Sequence, residues 1–280
     1  ALLSSGVKCL FCGDPAQLPP VGGSNTLLST PVITLKEIVR QERDNPIVRL
    51  AARVRAGERP AYGEDGCVSV IPRRELDADA RRALFTQADQ IIVGTNRTRA
   101  LVNREVRAFR GIPPERILPE EGEKIICTLN DWSKPLDERG DFHLVNGIIG
   151  TCYHVREQLD GLGQLDFQPE FLPDRVEDLP FDTGIFVRGQ YYHGYGNRAC
   201  LLTNGILVHE GNREMLRRFK VRREDTVCRF EFAYAVTCHK AQGSEYDFVV
   251  VVDESGFFEN GCEWLYTAVT RAKKRLVIIR

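Results

Sequence analysis

Apolar residues fall along this chain in two textures. In the first, short unbroken apolar runs alternate with stretches whose apolar residues recur at helical spacing. Residues 248–252 are Phe followed by Val, and residues 230–236 are rich in aromatic and small apolar side chains, so each is expected as one strand buried on two faces. From 264 to 273, Leu265, Ala268, Val269 and Ala272 lie on one helical face, which predicts a helix ending at Arg271 and followed by a buried strand over 276–279. Ile47, Leu50, Ala51 and Val54 fall at i, i+3, i+4 and i+7 behind Asn45 and Pro46, a capped helix that stops at Gly57. Thr34 and Glu37 have capping-box spacing for a short helix over 34–41. Residues 77–85 read as a helix, 90–94 as a buried strand leading into a helix through Phe109, and 7–12 as a strand running into Gly13.

The second texture covers about residues 113–229, where short apolar runs are split by Gly, Pro and Asn, the pattern of small β-structure. Asn146 and Gly147, set between 143–145 and 148–149, predict a two-residue hairpin. The frame is therefore α/β with a parallel sheet, interrupted by a β-rich insert. Its links are unusually polar. Thr237, His239, Lys240, Gln242, Gly243, Ser244 and Glu245 crowd the connection between two strands, where α/β proteins place ligand sites, and Tyr266, Thr267, Thr270 and Arg271 accompany a second such link.

With 280 residues and 42% hydrophobic side chains the chain can bury substantial cores, as one large domain or two to three smaller ones. A net charge of −1 argues against a generally basic nucleic-acid binder and leaves only local tracks. Arg97, Arg99, Arg104, Arg107 and Arg110 form one basic cluster, and Arg213, Arg217, Arg218, Lys220, Arg222 and Arg223 another; taken alone, both read as solvated helix faces. Nine cysteines, an odd count, with no leader and no apolar stretch long enough to span a membrane, point to a reducing cytoplasm. Cys9 and Cys12 lie three apart in the expected strand and so face opposite ways, and the five histidines are dispersed, so no metal site is expected.

Three segments carry a resemblance. VTCHKAQGSEYD at 236–247 and LYTAVTRAKK at 265–274 resemble the last two signature motifs of superfamily-one helicases of the RecD-like and Dda-like branch, whose C-terminal module is called UvrD-like. GDPAQLPPVG at 13–22 resembles the third motif, and Arg40 matches the arginine of the fourth. The resemblance implies a RecA-like parallel sheet of the P-loop NTPase type, the second motor domain, with an inserted small SH3-like β-barrel. It implies domain limits as well: 1–30 as the tail of a first RecA-like domain, 31–112 and 230–280 as the second, and 113–229 as the insert.

The implied activity is ATP-driven translocation on single-stranded DNA with unwinding, 5′ to 3′, by a monomer. Gln17, Arg40 and Arg271 would address the γ-phosphate, with Asp14, Gly243 and Glu245 beside the nucleotide. Thr95, Asn96, Thr237, His239 and Lys240 would meet the DNA backbone. The phosphate-cradling sequence G-x-x-x-x-G-K followed by Ser or Thr does not occur. In the family that loop and the acidic pair holding Mg2+ lie upstream, so ATP with Mg2+ would be held mainly by a first RecA-like domain in the same longer chain. Two look-alikes are set aside. Residues 194–199 fit a loose G-x-G-x-x-A fingerprint without a β-α-β frame, and Asp253 and Glu254 imitate the acidic pair but follow the fifth motif. The reading from another class is a non-catalytic nucleic-acid-binding or adaptor protein derived from a shortened helicase.

Overall fold

The computed structural model describes residues 8, 10–19, 33, 45–158, 162–186, 199–201, 207–209 and 227–280. Contacts divide the chain into two compact units, residues 1–95 with 236–280, and residues 96–235.

The first unit is built on a sheet of β1 (Gly63–Asp65), β2 (Val68–Ile71), β3 (Gln90–Val93), β13 (Ala235–Thr237), β14 (Tyr246–Val252) and β15 (Ala272–Ile279). The strand order is β1-β2-β15-β14-β3-β13. β15 runs parallel to both β2 and β14, and β14 parallel to β3. Val249, Val250 and Val251 on β14 and Leu276, Val277 and Ile278 on β15 are almost wholly buried, as central strands covered on both faces require. Among the described residues of this unit the α-helices are α1 (Pro46–Arg55), α2 (Ala78–Gln87), α4 (Cys238–Ala241) and α5 (Gly261–Val269). α1 starts where its sequence says it should: the Asn45 side chain accepts the Ile47 amide, Pro46 needs no donor at the first position, and Ile47, Leu50, Ala51 and Val54 form the buried stripe. Gly57, at φ +90°, supplies the left-handed residue that ends it.

The second unit opens with α3 (Asn96–Phe109) and continues through β4 (Lys124–Cys127), β5 (Asp131–Pro135), β6 (His143–Leu144), β7 (Ile149–Glu157), β8 (Leu162–Pro169), β9 (Val176–Asp182), β10 (Ala199–Leu201), β11 (Leu207–His209) and β12 (Phe230–Phe232). Five of these make an antiparallel sheet in the order β12-β4-β7-β8-β9. Its far edge curls back: Phe181 on β9 bridges Cys228, and the Cys228 amide donates to the Pro180 carbonyl at 2.7 Å. The enclosed core holds Ile125, Leu144, Leu165, Phe167, Phe181 and Phe230, with the rings of Phe167 and Phe230 5.0 Å apart.

Several expectations need correction. The apolar run 230–236 is two strands in two different sheets, β12 and β13, because the chain turns at Ala233 and Tyr234 between them. The C-terminal helix begins at Gly261 and ends at Val269, so Arg271 lies just past it and Ala272 already starts β15. Asn146 and Gly147 do form a turn, with the Ile148 amide donating to Val145 at 3.2 Å, but the flanking strands do not pair. Only Gly147 has positive φ there, whereas the tight hairpin form of Asn-Gly needs it at both central residues. The described residues within 7–12 belong to no strand, and Leu10 and Phe11 are exposed. The solvated-face reading of the first arginine cluster also fails in part. Arg107 is buried and Arg99 pairs with Glu231, so both serve the interior of their unit. The helix expected at 34–41 with Arg40, the second basic cluster and the 194–198 glycine segment lie outside the described residues.

Candidate functional site

The sequence gathers its polar links at the ends of β13, β14 and β15, and the first unit brings three of them together. The turn of residues 14–18 closes on itself through the Gln17 amide and the Asp14 carbonyl at 3.1 Å, and the Asp14 carboxylate accepts the Ala16 amide at 3.0 Å. α5 then grips both ends of that turn. The Tyr266 hydroxyl donates to Asp14 Oδ2 at 2.8 Å, and the Leu18 amide donates to Thr267 Oγ1 at 2.9 Å. From the link after α4, Gln242 Nε2 donates to the Leu18 carbonyl at 2.9 Å. Burial and the Asp14 hydrogen bond raise the Tyr266 phenol above its usual range, so it stays a donor. Gln17 is half-buried, and its carboxamide makes no hydrogen bond among the described residues.

Arg271 stands at the same place, where β14 and β15 begin. Its guanidinium is buried and donates to the Thr267 carbonyl at 3.1 Å, the Ser244 carbonyl at 3.1 Å and the Thr270 hydroxyl at 3.1 Å. The first of these is a helix-end carbonyl, which suits a cation at that pole. The Ser244 bond ties the exposed Gly243, at φ +85°, and its neighbours to the helix that carries the arginine. Asp14, Gln17, Gly243 and Arg271 therefore share one region, with Glu245 half-buried next to it in the chain.

The proposed DNA-facing residues divide. Thr237 precedes α4, and His239 and Lys240 lie on it, all half-exposed. Burial holds the His239 imidazole below its ordinary value. The neighbouring Cys238 thiol is pushed up to about 12 by burial and donates to the Trp264 carbonyl, so it packs as a core residue and offers no thiolate. Thr95 lies beyond the C-terminal end of β3, whereas the Arg271 region lies at the N-terminal end of the parallel β14, roughly 20 Å of strand away. Asn96, exposed, is the first residue of α3 in the second unit.

A residue that sequence reasoning set aside organises the Thr95 turn. Buried Glu254 accepts the Gly94 amide at 2.7 Å and the Thr95 amide at 3.0 Å, with the Thr95 hydroxyl at 3.3 Å. A Cβ at Gly94 would come within 2.8 Å of Glu254 and 2.7 Å of Phe258, so only glycine fits this approach. Asp253 meets Arg280 at 2.9 Å and accepts the Ser255 amide at 2.9 Å. These carboxylates are engaged with protein donors, which does not fit a pair of Mg2+ ligands. Among the described residues no group of three or more His, Cys, Asp and Glu is arranged to hold a metal, and no helix is long and apolar enough to cross a membrane.

Residues 232–279 match the UvrD-like helicase C-terminal domain. The chain is 27% identical to the ATP-dependent RecD2 DNA helicase of Deinococcus radiodurans over 98% of its own length, but it spans only 33% of that relative. An uncharacterized protein of Methanocaldococcus jannaschii is 50% identical over 50 residues, 18% of this chain and 4% of that protein. In fold, the chain is similar to the Pif1 helicase of Candida albicans, with a TM-score of 0.52 and 19% identity, covering 96% of this chain and 62% of that one. The parallel strands β2, β15, β14 and β3 of the first unit, with β1 antiparallel at the edge, fit a RecA-like domain. Over residues 232–279 the chain is thus similar to the UvrD-like helicase C-terminal domain, and as a whole it resembles the C-terminal part of a superfamily-one helicase.

Proposed function

We infer that this chain is the C-terminal motor portion of an ATP-dependent helicase that moves 5′ to 3′ on single-stranded DNA, with residues 113–229 as an SH3-like insert in its second RecA-like domain. The observation that carries the reading is the convergence of the 14–18 turn, the 242–244 link and α5 with Arg271 on one region of the first unit. The curled five-stranded sheet, whose edge strand β12 lies just past residue 229, supports a β-rich insert there.

In this reading Gln17 and Arg271 serve the transferred phosphoryl group, and Arg40 assists. Gln17 offers a carboxamide on a turn fixed at both ends, so little order is lost when it meets an anion. Arg271 is pre-positioned, and it would exchange its Ser244 and Thr270 bonds for phosphate oxygens as charge develops there. ATP with Mg2+ supplies the phosphoryl group and its charge neutralisation. The phosphate cradle and metal ligands would be supplied mainly by a first RecA-like domain, since these residues include no P-loop and Asp253 and Glu254 are engaged. The 280-residue chain alone is accordingly expected to show no DNA-stimulated ATP hydrolysis. Robust turnover by the purified chain would overturn the division of labour.

The test of the whole reading is single-stranded DNA binding, measured by fluorescence anisotropy with labelled oligonucleotides at several salt concentrations. Thr237, His239 and Lys240 offer backbone contacts but no base-reading array, so binding should be weak and indifferent to sequence. It should fall with salt at a shallow slope, because each neutralised phosphate releases counterions. Absence of binding at low salt, or tight binding insensitive to salt, sinks the reading.

His239 adds a pH signature. Its folded pKa is depressed by burial, so it is neutral at pH 7 and gains its proton only below the ordinary imidazole value of about 6.5. Affinity for DNA should therefore rise as pH falls through that window, and His239→Gln should flatten the rise. Stability moves the other way, because the unfolded chain takes the proton first. A wild-type affinity that does not change between pH 7.5 and the acid side of the window removes His239 from the track.

A further inference from the structure

Thr267 is fully buried on α5, and both its polar oxygens are engaged. Its hydroxyl accepts the Leu18 amide at 2.9 Å, and its carbonyl accepts Arg271 Nε at 3.1 Å and the Thr270 hydroxyl at 2.9 Å. Burying a hydroxyl is unfavourable unless it is partnered, and at a wholly buried helical position valine would fill the same space without that need. The partner that justifies the threonine lies 249 positions away in sequence, in the turn that carries Gln17.

We propose that Thr267 is a positioning residue that links Gln17 to Arg271, so that movement of either is felt by the other. The linkage follows from the bonds. Leu18 is held on its amide by Thr267 and on its carbonyl by Gln242, and Asp14 is held by Tyr266, so the turn cannot shift without disturbing α5. On α5 the disturbed residue is the one that orients the Arg271 guanidinium. The functional sense of this link rests on the assignment of Gln17 and Arg271 to the phosphate given above, but the link itself does not.

Amide hydrogen exchange by NMR on the 280-residue chain tests it. The Leu18 amide should be protected in the wild type. Thr267→Val, nearly isosteric, should speed its exchange about tenfold or more by leaving the donor without its acceptor, and it should also change the exchange of the Arg271 Nε proton. Thr267→Ser, which keeps the hydroxyl, should restore both. Amides of Val250 and Val251 in the sheet centre should not respond to any of these changes. Gln242→Ala, at a half-exposed site, should speed Leu18 exchange severalfold even if Thr267→Val does not fold. The proposal is overturned by an unprotected Leu18 in the wild type, by equal acceleration at Leu18 and in β14, or by an Arg271 proton indifferent to Thr267→Val. None of these measurements needs ATP or DNA, so failure to bind DNA would overturn the helicase reading alone.

Discussion

Arg107→Ala is expected to destabilise the second unit by about 3–5 kcal/mol, the loss seen when one partner of a buried ion pair is removed and the other stays behind. Arg107 and Glu123 have 5% and 3% of their side chains exposed, so water cannot take over either charge. The guanidinium meets Glu123 through Nε at 2.9 Å and Nη2 at 3.0 Å, donates to the carbonyls of Arg116 and Leu118, and lies 4.2 Å over the Phe232 ring. Glu123 is equally committed, since it also accepts the Glu120 amide and the Tyr234 hydroxyl. Alanine would leave a buried carboxylate with its main counter-charge gone and two carbonyls without that donor. Calorimetry should find the melting temperature lowered by roughly 10 °C or more. The double replacement of Arg107 and Glu123 by alanine should be far less harmful than the sum of the single ones, because no orphan charge is left. A single-mutant loss below about 1 kcal/mol would mean that the pair is solvated and no clamp.

The other large effect concerns turnover. In a longer chain that places a P-loop domain ahead of this segment, Arg271→Ala should lower DNA-stimulated ATP hydrolysis by about 10³-fold or more, the usual scale for an arginine that meets the transferred phosphoryl group. Some stability will go with it. The buried guanidinium serves the Thr267 and Ser244 carbonyls, and leaving them unpartnered costs about 1–3 kcal/mol. Arg271→Lys separates the two roles, since it keeps a cation at the helix end but loses the planar fork. The expectation is a melting temperature close to wild type with turnover still severely reduced. Near-normal turnover in a well-folded Arg271→Lys would leave Arg271 with its helix-end role alone.

The sequence was most legible where one physical signal dominated. The Asn45 cap, Pro46 and the stripe of Ile47, Leu50, Ala51 and Val54 name α1 without help from the rest of the chain. The valine run of β14 likewise admits only a strand buried on both faces. Legibility failed where long-range partners decide. Residues 230–236 look like one strand because periodicity records burial and carries no label for the sheet that provides it. Arg99 and Arg107 look like a solvated face because Glu231 and Glu123, which draw them inward, are distant in sequence. Glu254 was set aside as a false acidic pair, and its two-amide grip on Gly94 and Thr95 exists only because β3 and β14 are neighbours. Tyr266 and Thr267 stood out as polar residues on an apolar helix; the turn they hold, some 250 residues away, could not be read from spacing.

Asn103 bears on how this unit tolerates change in size. Its amide side chain donates to the Phe232 and Ala235 carbonyls and accepts the Ala235 amide at 2.9 Å, which fastens the second turn of α3 to the last residues of the unit. Entry and exit are thus stapled at a sequence separation of 132, and the chain between them is a loop closed at its neck. Closure entropy grows only with the logarithm of loop length, so doubling or halving that loop alters it by about 0.6 kcal/mol. Once the neck is fixed by three side-chain bonds, the β-rich stretch is free to lengthen or shrink over evolutionary time at negligible entropic penalty, provided it keeps its own core and leaves Asn103 in place.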